Sequence, residues 1–246
     1  MEYNVYCDES CHLISNNSQY MLIGAVYCPK FKIKKVNEYI EHLKENYNLS
    51  KNDYVKYCYE NKKWAFLTDY VRLDIIYQNG GIYLDTDVEL VKSLDELLSN
   101  KCYIGMEQIG TVNTGQGFGA IKNHKFVKEN KEYYEKNQFL NDDGSFKRTI
   151  CVPITTEILK KKGLINKNCI QKLEDDVVVY PIDYFCPKKL GTNKITITNN
   201  TISIHHFESS WKSNNRLFRR IGYHLIPLKI FIKKLINKEE RKNDKN

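Results

Sequence analysis

The chain of 246 residues is 41% hydrophobic and 28% charged, a balance that excludes a disordered protein and allows one sizeable core. Its net charge of +8 is gathered at one end. From Trp211 onward there are 11 Lys or Arg against three acids, so residues 1–210 are neutral, which argues against a nucleic-acid surface over the whole body. No apolar run approaches the roughly 20 residues that span a bilayer, and no basic stretch followed by an apolar run opens the chain, so a cytoplasmic location is expected. The eight cysteines show no paired spacing, so reduced thiols are expected rather than a disulfide framework. Cys7, Cys11 and His12 lack the second half-site that zinc needs.

Residues 3–7 and 20–27 read as two strands of a hairpin, and Val36, Tyr39, Ile40, Leu43 and Tyr47 give residues 31–46 a helical period. A boundary is expected at the polar stretch Asn48 to Asp53. Tyr54, Tyr57, Cys58, Trp64, Leu67, Val71 and Ile75 then predict helix over about 51–78, stopped by Asn79-Gly80-Gly81. A strand through Ile82 and Leu84, a short helix at 94–98 and a strand at 102–106 follow. After these come a glycine-rich loop at 113–120, a helix at about 123–136 and a helix near 154–162. A strand at 177–180 and a hairpin of 194–198 with 201–205, turned by Asn199-Asn200, complete an α/β alternation. Residues from Trp211 to about Lys238 read as an interrupted basic helix.

The chemistry-bearing residues cluster around 79–89. With a period of two, Tyr83, Asp85 and Asp87 start on one side of the strand and Ile82 and Leu84 on the other. Two aspartates one residue apart offer hard oxygen ligands to a divalent cation, which neutralises phosphate charge. Asp69 and Arg72 lie three apart on the preceding helix, so they share a face. There the arginine can grip a sugar hydroxyl or a phosphate oxygen while the aspartate orients it.

The order Trp64-Ala-Phe-Leu-Thr-Asp69-Tyr-Val-Arg72, then Gly80-Gly81-Ile-Tyr83-Leu-Asp85-Thr-Asp87, resembles the bacterial sugar transferases with a DXD motif. These form glycosyltransferase family 32, whose members include capsular polysaccharide enzymes. The resemblance runs from about Asp53 to Trp211 and includes Asn113-Thr-Gly-Gln-Gly-Phe-Gly-Ala and His205-His206-Phe-Glu-Ser-Ser-Trp211. It implies a GT-A fold, an α/β, Rossmann-related mixed sheet with flanking helices. It also implies retaining transfer of a hexose from a nucleotide sugar to a saccharide or lipid-linked acceptor, with Mn²⁺ or Mg²⁺. By the same resemblance Asp69, Arg72, Asp85 and Asn113 form the catalytic set, and Tyr83, Asp85, Ser210 and Trp211 hold the donor. Asp85, Asp87 and one of His205 and His206 would hold the metal; strand alternation lets only one of the two histidines face the cleft.

Residues 1–48 lack the strand and helix with which that family begins. With Tyr6-Cys7-Asp8-Glu9-Ser10 they resemble instead the opening of an uncharacterised bacterial family with a ribonuclease-H-like fold. The expected division is therefore an N-terminal hairpin and helix at 1–50, a transferase body at 51–211 and a basic amphipathic tail at 212–246. The tail interleaves Arg216, Arg219 and Arg220 with aliphatic residues, a pattern that suits an anionic membrane surface or packing on the body better than nucleic acid. Two rival functions stay open, a nuclease using Asp8 and Glu9 and an inactive remnant of a hybrid chain.

Overall fold

In the computed structural model the described residues are 3–9 and 23–29, as strands only, and 47–85, 87–189, 191–192 and 194–207. The expected helix at 31–46, the Cys11-His12 pair, Ser210, Trp211 and the basic tail lie outside them. Strands β1 (Tyr3–Glu9) and β2 (Ile23–Pro29) pair antiparallel, from Tyr3 opposite Pro29 to Glu9 opposite Ile23. The expected hairpin thus forms, and β2 runs close to the first strand of the main sheet.

Helix α1 (Asp53–Glu60) starts where the Asn52 side chain accepts a hydrogen bond from Val55 N at 2.9 Å. The expected single helical run is broken here. Asn61-Lys62-Lys63 offers no apolar residue to the core, Lys62 turns left-handed at φ 53°, and Lys63 N closes on Cys58 O at 2.7 Å. Helix α2 (Trp64–Asn79) then begins on a new axis and buries Leu67, Tyr70, Leu73 and Ile76. It ends at Gly80 (φ 70°) and Gly81 (φ 114°). A Cβ on Gly80 would lie 2.8 Å from Lys122 N, so both the dihedral and the close approach require glycine there.

The main sheet is mixed and five-stranded. Its order is β3 (Gly81–Tyr83), β6 (Thr111–Ala120), β5 (Cys102–Gln108), β8 (Val177–Tyr180), β7 (Gln171–Lys172). Only β5 and β8 run parallel. A separate ribbon pairs β4 (Val88–Leu90) with β9 (Ser203–His205). Helices α3 (Lys125–Lys136) and α4 (Cys151–Lys161) join α1 and α2, and α5 (Ile182–Phe185) follows β8.

Residue alternation sorts the sheet into two cores. Tyr83, Cys102, Ile104, Met106, Val177 and Val179 pack with α1 to α4, while Leu84, Tyr103, Phe185 and Ile202 form the other cluster, with Ile82, Val178 and Tyr180 against it. Both faces are covered, as a sheet with a parallel pair requires. The architecture is a mixed α/β fold with flanking helices, consistent with a GT-A-like fold.

Two expectations are corrected. The glycine-rich segment 113–120 is strand, not loop: alternate glycines strip one face of β6 so that bulky neighbours lie directly on it. A Cβ on Gly119 would come within 2.5 Å of Tyr103 and one on Gly117 within 3.1 Å of Leu84. The 194–198 and 201–205 segments do not pair with each other. Their turn is pinned by Asp183, which accepts from Thr198 Oγ1 (2.8 Å) and Asn200 Nδ2 (3.1 Å) through its carboxylate and from Thr201 Oγ1 (2.8 Å) through its carbonyl. This leaves β9 to pair with β4.

Candidate active site

Helix α2 turns Asp69 and Arg72 inward, and both are buried. Arg72 Nη2 donates to Asp69 Oδ1 at 2.8 Å and Nε to Thr68 O at 3.1 Å; Nη1 lies 3.4 Å from Asp85 Oδ1. The guanidinium sits 4.7 Å from the centre of the Tyr83 ring, and Tyr83 OH donates to the same Asp85 oxygen at 2.8 Å. The four residues expected around the sugar thus form one acid-base-acid cluster on an aromatic platform. Cys151, the first residue of α4, lies close enough to Asp69 to favour its charged form, and its thiol donates to Asn113 Oδ1 at 3.7 Å.

Burial pushes the Asp69 carboxyl up from 3.8 to about 6, with Arg72 pulling it down and the charge of Asp85 adding to the rise. The folded chain therefore binds the Asp69 proton more tightly than the unfolded chain does. The contribution of Asp69 to stability is highest below about pH 4 and falls as pH rises to about 6. Urea midpoints of the wild type and Asp69→Asn, compared at pH 4.5 and 7, are expected to show a smaller pH-linked loss in the variant.

The Asp-x-Asp turn is anchored at both ends. Asp85 N donates to Gly115 O at 2.8 Å, one rung beyond the β3–β6 ladder, and Val88 N returns to Asp85 O at 3.0 Å. His206 N donates to Asp87 O at 2.9 Å, extending the β4–β9 ribbon. Consecutive residues on β9 face opposite ways, so the two histidines part. His205 is buried with Nε2 3.2 Å from Asp87 Oδ1, whereas His206 Nε2 lies 2.8 Å from Glu89 Oε2. His206 therefore does not join the expected metal set.

Ligand atoms of Asp85, Asp87 and His205 all lie within 4.8 Å of one another. Two neighbouring ligands of an octahedral ion at about 2.1 Å stand about 3 Å apart, close to the spacing of His205 Nε2 and Asp87 Oδ1. His205 Nδ1 is buried with no hydrogen-bond partner among the described residues, so the ring's polar contact lies on the aspartate side. Burial lowers the basicity of this imidazole, but the Asp87 hydrogen bond and the charges of Asp87, Asp85 and Glu107 outweigh it and raise it overall. Two carboxylates and one imidazole suit Mn²⁺ or Mg²⁺, so the residues present fit a divalent ion.

Asn113, on β6, is fixed at both ends of its amide: Gly115 N donates to Oδ1 at 2.7 Å and Nδ2 donates to Glu107 Oε2 at 2.7 Å. Glu107 was missed in the sequence, although a carboxylate just past the apolar run of β5 was a signal that could have found it. Cys151 gave no such signal, because its link to Asp69 is made only by tertiary packing. Ser210 and Trp211 lie outside the described residues.

Residues 4–104 match the family model of the glycosyltransferase sugar-binding region containing a DXD motif. The match supports a DXD glycosyltransferase. It takes in β1 and β2, the Asp69–Arg72 pair, Tyr83 and both aspartates of the motif, while Glu107, Asn113 and His205 lie beyond it. No curated protein and no solved structure gives a significant match to the chain. A glycosyltransferase acts on an activated sugar donor and an acceptor, and the two anchored clusters of this DXD site meet at Asp85, which belongs to both.

Proposed function

We propose that the chain is a metal-dependent hexosyltransferase of the family 32 type. In this reading it transfers with retention from a nucleotide sugar to a saccharide or lipid-linked acceptor, in capsular or surface polysaccharide synthesis. The observation that carries the reading is the convergence of Asp85, Asp87 and His205 within 4.8 Å beside the buried Asp69–Arg72 pair. Breaking the bond from sugar to diphosphate develops positive charge on the ring and negative charge on the leaving group. A divalent ion bound by Asp85, Asp87 and His205 would supply charge stabilisation at the leaving group.

The chain's own residues supply the rest. Arg72, held by Asp69 and Asp85 over the Tyr83 ring, orients the sugar hydroxyls. The Asp69 and Asp85 carboxylates lie where they offset positive charge on the ring, and the locked Asn113 amide presents a fixed dipole beside it. No covalent nucleophile is assigned. Ser210 and Trp211 complete the donor site in this reading. The hairpin's approach to β3 supports counting residues 1–50 as part of the catalytic body rather than as a separate nuclease. The basic tail would dock the enzyme on an anionic membrane surface, where lipid-linked acceptors are found; no helix of the described residues is long and apolar enough to cross a membrane.

The test is release of nucleoside diphosphate from a panel of UDP- and GDP-sugars with Mn²⁺, comparing the wild type with Asp87→Asn. Turnover is expected in the wild type. The variant should lose more than the roughly 10- to 100-fold in Mn²⁺ affinity that follows from disturbing only the groups that support a metal ligand, and turnover with it. Absence of both turnover and donor binding in the wild type would overturn the reading.

A further inference from the structure

A break in the sheet ladder singles out Glu107. Met106 stands opposite Val112 and Gln108 opposite Thr111, so β5 carries one extra residue between these pairs, and that residue is Glu107. Such a bulge bends its strand and re-aims a side chain, and bulges are over-represented beside active sites. Glu107 is half-buried, whereas the strand residues before it are buried. Its Oε2 accepts Asn113 Nδ2 at 2.7 Å. Asn113 Oδ1 already accepts Gly115 N at 2.7 Å, so the amide cannot flip without setting N–H against N–H. Asn113 therefore keeps a donor on Glu107.

The sheet places this carboxylate at the same edge as the Asp-x-Asp turn. Strands β3 and β5 each pair antiparallel with β6, so they point the same way. Asp85 continues β3 with its N–H on Gly115 O, and Glu107 stands near the end of β5, two strands over. The two strands are about 10 Å apart at the usual spacing. Between them, β6 sets Gly115 against Asp85 and Asn113 against Glu107. Burial lowers the basicity of His205, and Glu107 is among the charges that outweigh it, after Asp87 and Asp85. Its charge thus reaches the metal-ligand side of the cleft.

The acceptor's proton needs a destination. A hydroxyl that bonds to the anomeric carbon loses its proton, and a positioned carboxylate can take it in the transition state. Transfer with retention and no covalent intermediate brings the acceptor to the face from which the diphosphate departs, the side of the metal ligands. Asp85 and Asp87 belong to the ligand set and Asp69 is engaged by Arg72, whereas Glu107 belongs to neither group.

We infer that Glu107 is the general base of the transfer, receiving the acceptor's hydroxyl beside Asn113. As the acceptor oxygen bonds to the anomeric carbon, its proton passes to the Glu107 carboxylate. The bond from that carbon to the diphosphate breaks, and its electron pair goes to the leaving group. The proton then passes to solvent. The inference rests on the nucleotide-sugar reading above.

The test is release of nucleoside diphosphate from UDP- and GDP-sugars with Mn²⁺, with water and simple methyl glycosides as acceptors. Wild type, Glu107→Gln and Glu107→Ala are compared as full chains, with and without sodium formate. Calorimetric binding of the preferred donor and the thermal midpoint serve as companion readouts. Glu107→Gln keeps an oxygen for Asn113 and loses the charge. Its donor affinity and midpoint are expected to hold while turnover falls by about 10²- to 10⁴-fold, the usual worth of general acid–base catalysis. Formate, a small carboxylate, should restore part of the turnover of Glu107→Ala.

Turnover of Glu107→Gln near that of the wild type would overturn the inference, the proton then passing to the departing phosphate. So would a loss in Glu107→Ala that formate does not repair, because Glu107 would then only brace Asn113. A wild type that binds donor but releases no diphosphate with any of these acceptors would overturn it too, since a base placed here activates water. A wild type that neither binds nor turns over any donor would instead overturn the donor reading itself.

Discussion

Gly115→Ala is expected to cost about a hundredfold or more in sugar transfer while the chain stays folded. A Cβ at this position would stand 2.0 Å from Asp85 Oδ2, 2.8 Å from Asp85 Cγ and 3.0 Å from Arg72 Nη1, well inside contact distance. The strand has little room to retreat, because Gly115 O accepts Asp85 N at 2.8 Å and Gly115 N donates to Asn113 Oδ1 at 2.7 Å. The carboxylate must therefore move, and a displacement near 1 Å in a reacting cluster costs about 100-fold. Overpacking of this kind lowers stability by about 1–3 kcal/mol, which the chain should survive. Turnover and the urea midpoint measured together check both halves, and full activity in the variant would show that Asp85 need not lie against β6.

Arg72→Ala carries the largest expected stability loss. It leaves the buried Asp69 carboxylate without its counter-charge and takes the cation from Asp85, and breaking a buried pair costs about 3–5 kcal/mol. Arg72→Lys should restore little. The native guanidinium uses Nε, Nη1 and Nη2 toward three partners and sits over the Tyr83 ring, whereas an ammonium is a point charge. The double variant Asp69→Asn with Arg72→Ala should be more stable than the sum of the two single losses. Strict additivity in urea denaturation would rule out the pairing as the source of the cost.

The sequence made the local half of this site legible and hid the tertiary half. Asp69 and Arg72 meet because helix geometry puts residues three apart on one face, and Gly80-Gly81 marked the helix end because its left-handed dihedrals have few other solutions. The strand at 177–180 was readable from four β-favouring residues in a row. By contrast, β6 reads as loop because glycine has little intrinsic liking for a strand. What puts these glycines in one is the bulk of Asp85, Leu84 and Tyr103 lying against them. The pairing of β9 with β4 was hidden in the same way: the Asn199-Asn200 turn is genuine, but Asp183 takes up its polar groups and denies it the hairpin. The choice between His205 and His206 followed from alternation only once the face of β9 was known.

The β4–β9 ribbon makes the metal-ligand set depend on distant parts of the chain. Its two strands are three residues each, and its contacts join segments 117 positions apart, as between Glu89 and His206. Strands this short return few rungs, so the pairing leans on the burial of Ile202, Ser203, Ile204 and His205 and on the main sheet, which brings the two segments together and shortens the loop left to close. The main sheet and its helices are nearly all assembled from segments between α1 and β8. Asp87 and His205 thus meet only through the tertiary fold, and a substitution that loosens the packing of β9 should weaken metal binding even though it touches no ligand.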